Sequence, residues 1–260
     1  MNNIGVSTAS FFGKVVTEDS LAVLSDLGVG IAEVFLGTSY EYKKSFVDCL
    51  VERKGNIEIH SIHALGLQFE PELMSISQRA RDDAERVFRS VLRAGRALSA
   101  KYYNFHGPAK LKNQRSTLDW GRFADTLNRL CDIAKRHGIR LSYETVHWCH
   151  YCTPEFFLPL KTACPNLYTT LDVKQCLQSG FDPIDYLDNM GDRLCTVHLC
   201  DIDKDGGTCL PGRGVYDFGK LFRELSKRGL GHVPKLVEVY SKDYKDIGQL
   251  VDSVRWLSNQ

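Results

Sequence analysis

Gly138-Ile139-Arg140-Leu141-Ser142-Tyr143-Glu144-Thr145 is a short apolar run that opens on a glycine and closes beside a carboxylate. It follows Leu118 to Arg136, a stretch with helical spacing, and Gly138 is a natural left-handed cap for the end of that helix. A helix handing over to a buried strand is half of a parallel βαβ unit. The same unit recurs in both directions along the chain. Eight runs have this character: Ile4 to Ala9, Gly30 to Leu36, Ile57 to Leu65, Lys101 to His106, Ile139 to Thr145, Leu167 to Val173, Leu194 to Cys200 and Lys235 to Tyr240. Their starts lie 26 to 44 residues apart, which leaves room for one crossover helix and its loops between neighbours. No low-complexity segment, charge block or Pro/Gly-rich hinge interrupts the series. The expectation is one α/β domain over residues 1–260, a single (β/α)8 TIM barrel.

Between the runs, Ser75 to Leu98 places Ala84, Val87, Phe88, Val91 and Leu98 on one stripe, the pattern of an outer helix. Gly95 falls on the same stripe, where a missing side chain lets a helix approach the sheet closely. Thr153-Pro154-Glu155 reads as an N-cap followed by proline in the first helical position, predicting a helix to about Lys161.

Composition narrows the function. The 260 residues are 43% hydrophobic and 25% charged, enough apolar content for a sizeable core. With 33 Lys and Arg against 32 Asp and Glu, no global basic field exists to hold a phosphate backbone, so nucleic acid is not an expected partner. No apolar run approaches the ~20 residues of a membrane span, and the first residues lack the regions of a signal peptide. The expected location is the cytoplasm. Nine cysteines, an odd number in a chain this long, read as reduced thiols. Cys149-His150-Tyr151-Cys152, with His147 nearby, has no second CxxC to complete four zinc ligands and reads as a loop holding two thiols.

Strands buried on both faces should be apolar throughout, so the ionisable residues at their ends need a reason. The third run carries His60 and His63, the fourth Asn104 and His106, the fifth Glu144, the sixth Asp172, the seventh His198 and Asp201, and the eighth Glu238. All lie toward C-terminal ends, where this fold places its active sites. Glu144, Asp172, His198 and Glu238 come from four successive strands of a closed barrel and can converge near its axis. Three carboxylates so close repel without a cation. Oxygen-rich ligation with one imidazole suits Mn²⁺ or Mg²⁺, with Zn²⁺ or Co²⁺ as alternatives.

With these strand ends in view, the chain resembles the xylose isomerase-like barrel superfamily of sugar isomerases, sugar epimerases and endonuclease IV-type nucleases. The resemblance is carried by Gly138 to Glu144, Thr170-Leu171-Asp172-Val173-Lys174-Gln175, Asp182-Pro183, Asp192 to Asp201, Gly212-Arg213-Gly214-Val215-Tyr216-Asp217-Phe218 and Glu238. It implies one divalent metal held by Glu144, Asp172, His198 and Glu238. In the epimerase and ketose isomerase branch, the carboxylates matching Glu144 and Glu238 also move the proton. Metal chelation of a carbonyl and its neighbouring hydroxyl acidifies the C–H between them and stabilises an enediolate. One glutamate removes the proton and the other returns it. The same resemblance makes His63, His106, Lys174, Gln175 and Arg213 candidates for contacting substrate, and Glu33 for orienting a ligand.

Two departures weigh against the nuclease branch. Gln175 stands where many relatives have a histidine, and Gly206-Gly207-Thr208-Cys209-Leu210-Pro211 lacks the histidine often found in that loop. An amide is a poor metal ligand. Cys209 reads as packing. The reading is therefore a metal-dependent sugar isomerase or epimerase with a small sugar or sugar-derived substrate. The alternative is a lyase or dehydratase acting on an inosose, a dehydroshikimate or a 3-keto-glycoside; a non-catalytic sugar-binding barrel ranks below both. Trp148, Phe156 and Phe157 read as packing more than as a wall for a sugar, and His137 and His232 as helix-end caps. Eight units use the whole length, so any lid comes from the βα loops or from a partner subunit of a homo-oligomer.

Overall fold

All eight apolar runs form strands in the computed structural model, which describes residues 3–110 and 118–260. They are β1 Ile4–Ser7, β2 Ile31–Leu36, β3 Glu58–Ala64, β4 Tyr102–Phe105, β5 Arg140–Glu144, β6 Tyr168–Asp172 and β7 Leu194–Leu199, then, after the two-residue strands β8 Asp201–Ile202 and β9 Thr208–Cys209, β10 Lys235–Val237. Every pairing among the eight is parallel, neighbours follow chain order, and β1 pairs with β10 to close the barrel. β8 and β9 form a separate antiparallel ribbon beyond β7.

The ends differ from expectation in instructive ways. β1 stops at Ser7, and Thr8–Phe11 continues as a 3₁₀ turn. β10 stops at Val237, so Glu238 is the first residue beyond the ladder. The long outer helix begins at Gln78 rather than Ser75, because Ser77 caps it by accepting from the Ala80 amide. The helix expected from Leu118 runs Trp120–Arg136, capped by Asp119, and Gly138 closes it at φ +76°. Thr153 occupies the expected cap position but makes no side-chain cap bond; Pro154–Phe156 is a 3₁₀ turn, and the α-helix proper is Phe157–Ala163.

The core lies between the outer faces of the strands and the helices. Phe88 of the Gln78–Ala97 helix meets Tyr103 of β4 edge to face at 5.3 Å. Ala84, Val91 and Leu92 are buried on the same stripe, each large side chain contributing ~1.5–3 kcal/mol by leaving water. Gly95 is the point of closest approach. A Cβ there would sit 2.4 Å from Ile62 Cδ1 and 2.8 Å from Ile139 Cδ1, on β3 and beside β5. The sequence expectation for this glycine therefore holds. Among the described residues, no helix is long and apolar enough to cross a membrane.

Candidate metal centre

Residues two apart on a strand share a face, and the inward faces of β2 to β7 become polar toward their C-terminal ends. His198, near the end of β7, is fully buried at the middle of this layer. Its Nδ1 lies 3.3 Å from Glu144 Oε1 and 3.3 Å from Glu238 Oε2, with Asp172 Oδ2 at 3.9 Å. One ligand-type atom from each of the four lies within 4.8 Å of the others. The four residues expected to converge do so. Lys174, also buried, brings Nζ to 3.6 Å from Asp172 Oδ2 and lies 4.7 Å above the Tyr240 ring.

A second arc completes the pocket from the other half of the barrel. Glu33 on β2 accepts from Ser7 Oγ at 3.0 Å and from Ser61 Oγ at 2.7 Å, and its Oε2 lies 3.4 Å from His198 Nε2. The imidazole is thus gripped on both nitrogens by carboxylates from opposite sides, which fixes its ring plane. Glu33, expected to orient a ligand, stands beside this histidine. His106 Nε2 is 3.1 Å from Glu144 Oε2, and Asn104 Nδ2 donates to the same oxygen. His63 packs edge-on to His106 at 4.5 Å and to Phe35 at 5.4 Å, with Nδ1 3.7 Å from Glu33 Oε1. His63, His106 and Glu144 make a further grouping with metal-ligand proximity.

Burial and mutual proximity shift the protonation of the whole layer. Burial pushes the Asp172 carboxyl up to about 7, Lys174 opposing and Glu144 and Glu238 adding to the rise. Burial acts against charge on His198 too, but Glu238, Glu33 and Glu144 outweigh it and hold the imidazole protonated well above its ordinary range. His106 follows the same logic, burial being overcome chiefly by Glu144, and rises to about 9. Glu144 in turn is held well below the carboxylate range: His106 and His198 outweigh its burial. His63, dominated by burial and by the neighbouring His106, falls to about 4.

Two acceptor atoms at the centre, Asp172 Oδ2 and Glu238 Oε2, are buried without a hydrogen-bond donor. Leaving a buried acceptor unsatisfied costs ~1–3 kcal/mol and more when it is charged, so orphaned oxygens aimed at one point fit a divalent ion. The donor set, three carboxylates and an imidazole, fits as well.

Two sequence candidates stand apart. The backbone N–H of Gln175 donates to Asp172 Oδ1 at 2.8 Å, so Asp172 caps the helix after β6, while Gln175 Oε1 accepts from the His147 backbone N–H at 3.1 Å and approaches His147 Nδ1 at 2.5 Å. Its side chain is committed to that loop. Arg213 is exposed, and among the described residues no side-chain bond or ion pair holds it. Phe157 is buried and stacked on Tyr151, and Phe156 joins the same cluster, as packing residues do. Trp148 is different: it stands edge-on to His106 at 5.7 Å. Cys149 and Cys152 are free and buried, the first against the Gly107 carbonyl and the second 2.8 Å from Lys110 Nζ. His137 and His232 each bond a nearby backbone carbonyl in the manner of helix-end caps.

Three supporting residues were assigned no role from sequence, Asn104 and Asp201 being noted only as polar strand ends and Glu70 not at all. Asn104 holds Glu144 directly. Glu70 is buried behind His106 and accepts from Tyr103 Oη and from the N–H groups of His106 at 2.9 Å and Gly107 at 3.1 Å; burial raises its carboxyl. Asp201 accepts from the N–H groups of Ile202, Gly212, Gly214 and Tyr216 at 2.9–3.0 Å and so pins the glycine loop containing Arg213. A polar residue at the end of a strand was the signal for Asn104 and Asp201. Glu70 sits in a loop helix and gave none.

Fold and site together define a (β/α)8 barrel with a buried cluster of carboxylates and histidines, of a composition able to hold a metal ion, at the C-terminal ends of its strands. The chain belongs to the xylose isomerase-like TIM barrel family, whose profile matches residues 21–260. It is 29% identical over 117 residues to fructoselysine 3-epimerase of Escherichia coli O157:H7, a match that covers 42% of each chain. The chain thus spans less than half the length of that relative in the matched region. The solved structures of 3-keto-D-glucoside 4-epimerase from E. coli and of the probable 3-DHS dehydratase from Bacillus anthracis share its fold. The first is 16% identical with a TM-score of 0.79 over 100% of both chains. The second is 16% identical with a TM-score of 0.78 over 99% of both.

Proposed function

We propose that this protein is a divalent-metal-dependent isomerase or epimerase of a sugar or sugar-derived ketone. The observation that carries the reading is the convergence of Glu144 and Glu238 on Nδ1 of His198, each at 3.3 Å, with Asp172 completing four ligands. Family membership and the epimerase among its sequence relatives support it. Mn²⁺ or Mg²⁺ suits the oxygen-rich set best, with Zn²⁺ or Co²⁺ next. The ion, when bound, supplies the electrostatic pull that makes a C–H beside a carbonyl acidic.

The chain's own residues do the rest. Glu144, held ionised by His106 and His198, is the proton acceptor; Asn104 fixes its second oxygen so that the free lone pairs face the pocket. Glu238, whose Oε2 also lies against His198 Nδ1, returns the proton to the opposite face or the adjacent carbon. Lys174 and His106 keep positive charge at the rim of the carboxylate cluster, where a substrate oxygen gains negative charge. Three carboxylates around one divalent ion leave no surplus positive charge for a phosphodiester, which supports a small sugar or sugar-derived ketone rather than nucleic acid as substrate.

One observation favours a second reading. His106 stays protonated to about pH 9 within reach of Glu144, an acid placed to protonate a departing hydroxyl, which would make the reaction an elimination on an inosose, a dehydroshikimate or a 3-keto-glycoside. Incubation with metal and a panel of ketoses, inososes and 3-keto-glycosides in deuterated water separates the two. Deuterium at the substrate α-carbon without loss of water or aglycone is expected. Turnover that needs no metal and is unchanged by Glu144→Gln and Glu238→Gln would refute the mechanism.

A further inference from the structure

Five helices of the barrel end in the same turn. In each, a residue with left-handed φ donates its N–H to the carbonyl three residues back, and the next residue donates to the carbonyl five back: Gly28 and Val29, Ser99 and Ala100, Gly138 and Ile139, Gly180 and Phe181, Gly229 and Leu230. The five turns can be compared position by position. Three residues before the left-handed one stand Ser25, Arg96, Lys135, Leu177 and Ser226; two residues after it stand Gly30, Lys101, Arg140, Asp182 and Gly231. The turn therefore does not require a cation at either place. Yet the two adjacent turns that feed β4 and β5 carry one at both.

These two turns wall a cavity of about 730 Å³ at the N-terminal ends of the strands, lined by Arg96, Lys101, Lys135, Arg136 and Arg140 with Ser99. It lies at the other end of β5 from Glu144, four residues or roughly 13 Å along the strand. Only Lys101 has a carboxylate partner, Glu58; Arg96, Lys135 and Arg136 have neither an ion pair nor a side-chain hydrogen bond among the described residues. The two helix ends offset about one unit of positive charge. Five cations, less Glu58 and those helix ends, leave about +3 in a chain whose net charge is +1. Arg140 is held in place, 5.3 Å from the Tyr168 ring and donating to Tyr102 Oη at 3.3 Å. Ser99, the one non-glycine with positive φ among the described residues, puts a hydroxyl where the other four turns have glycine.

We propose that this cavity is a binding site for a small polyanion bearing two or more linked phosphates. Its volume lies in the range of small-ligand sites, ~300–1,000 Å³, and the cations are confined to two turns, too short a strip to follow a duplex. The site is separate from the metal centre and does not depend on the activity proposed there.

The test is calorimetric titration of the full chain, in magnesium and low salt, with inorganic triphosphate and with ATP. Saturable binding of both is expected, weakened about tenfold or more, equal to ~1.4 kcal/mol, in Arg96→Glu/Lys135→Glu. The comparison protein is Lys44→Glu/Lys220→Glu, which changes the net charge equally on distant exposed positions and is expected to bind as the wild type does. Circular dichroism checks that both variants fold. Equal loss in the two variants, absence of saturable binding at millimolar ligand, binding of ATP without triphosphate, or tighter binding of duplex DNA with a steep salt dependence would each overturn the proposal.

Discussion

Adding a divalent ion to metal-stripped protein should raise its thermal midpoint, and the size of the rise follows from the structure. At an ion concentration 100 times its dissociation constant, binding to the folded state alone adds ~2.7 kcal/mol. Unfolding entropy of ~2.1 cal/mol/K per residue gives about 0.55 kcal/mol/K for 260 residues. The midpoint should therefore rise by about 5 °C. The rise should also depend on pH. Burial lifts the Asp172 carboxyl to about 7, so the folded protein holds that proton more tightly than the unfolded chain does. Its contribution favours folding at low pH and is lost as the pH climbs from the ordinary carboxylate range through 7, at up to ~1.4 kcal/mol per pH unit. An ion displaces that proton and the one on His198, and both displacements become easier as the pH rises. The shift should be larger at pH 8 than at pH 5.5. Asp172→Asn should raise metal-free stability at neutral pH, because the amide has no charge to bury and its oxygen can still accept the Gln175 N–H; it should also remove most of the ion response. Differential scanning fluorimetry with Mn²⁺, Mg²⁺, Co²⁺ and Zn²⁺ is the assay. No rise with any ion, or an equal rise in Asp172→Asn, would refute the assignment of the centre.

On an identified substrate, Glu144→Gln and Glu238→Gln should each lower kcat by ~10²–10⁴-fold, read as loss of α-deuterium exchange while the fold persists by circular dichroism. Gly95→Val would push a side chain into Ile62 and Ile139 and should destabilise by ~1–3 kcal/mol, measured by urea unfolding with an unchanged slope. Asp201→Ala removes the acceptor of four N–H groups; at ~1–3 kcal/mol for each buried donor left unpaired, limited proteolysis should cut between residues 203 and 216 well before the rest of the chain.

The barrel was legible because parallel strands buried on both faces are continuous apolar runs, and none of the eight was misassigned. Their C-terminal ends were less so. At β1 and β10 the expected strand continues past the ladder, since Thr8 and Glu238 are as compatible with an extended chain as with the turns they make. The four converging ligands were visible for a topological reason: consecutive strands of a closed barrel are neighbours, so strand-end residues meet. Side-chain commitments were not visible. Gln175 turns to His147 and Arg213 points to solvent because the loops decide where they face, and loop geometry leaves little periodic trace. Glu70 was hidden for the same reason, a carboxylate in a short helix whose burial depends on Tyr103 and on the absence of a Cβ at Gly66.

The grip on His198 from both sides has a bearing on how the chain matures. Glu33 arrives with the second strand, and Glu238 follows the last. Until β1 and β10 meet, the ring is held from one side only and the fourth ligand is missing. For the ion proposed here, the complete set of four ligands exists only once the barrel has closed. Metal occupancy would then report completed topology, so the metal content of refolded protein would measure the correctly closed fraction without any assay of turnover.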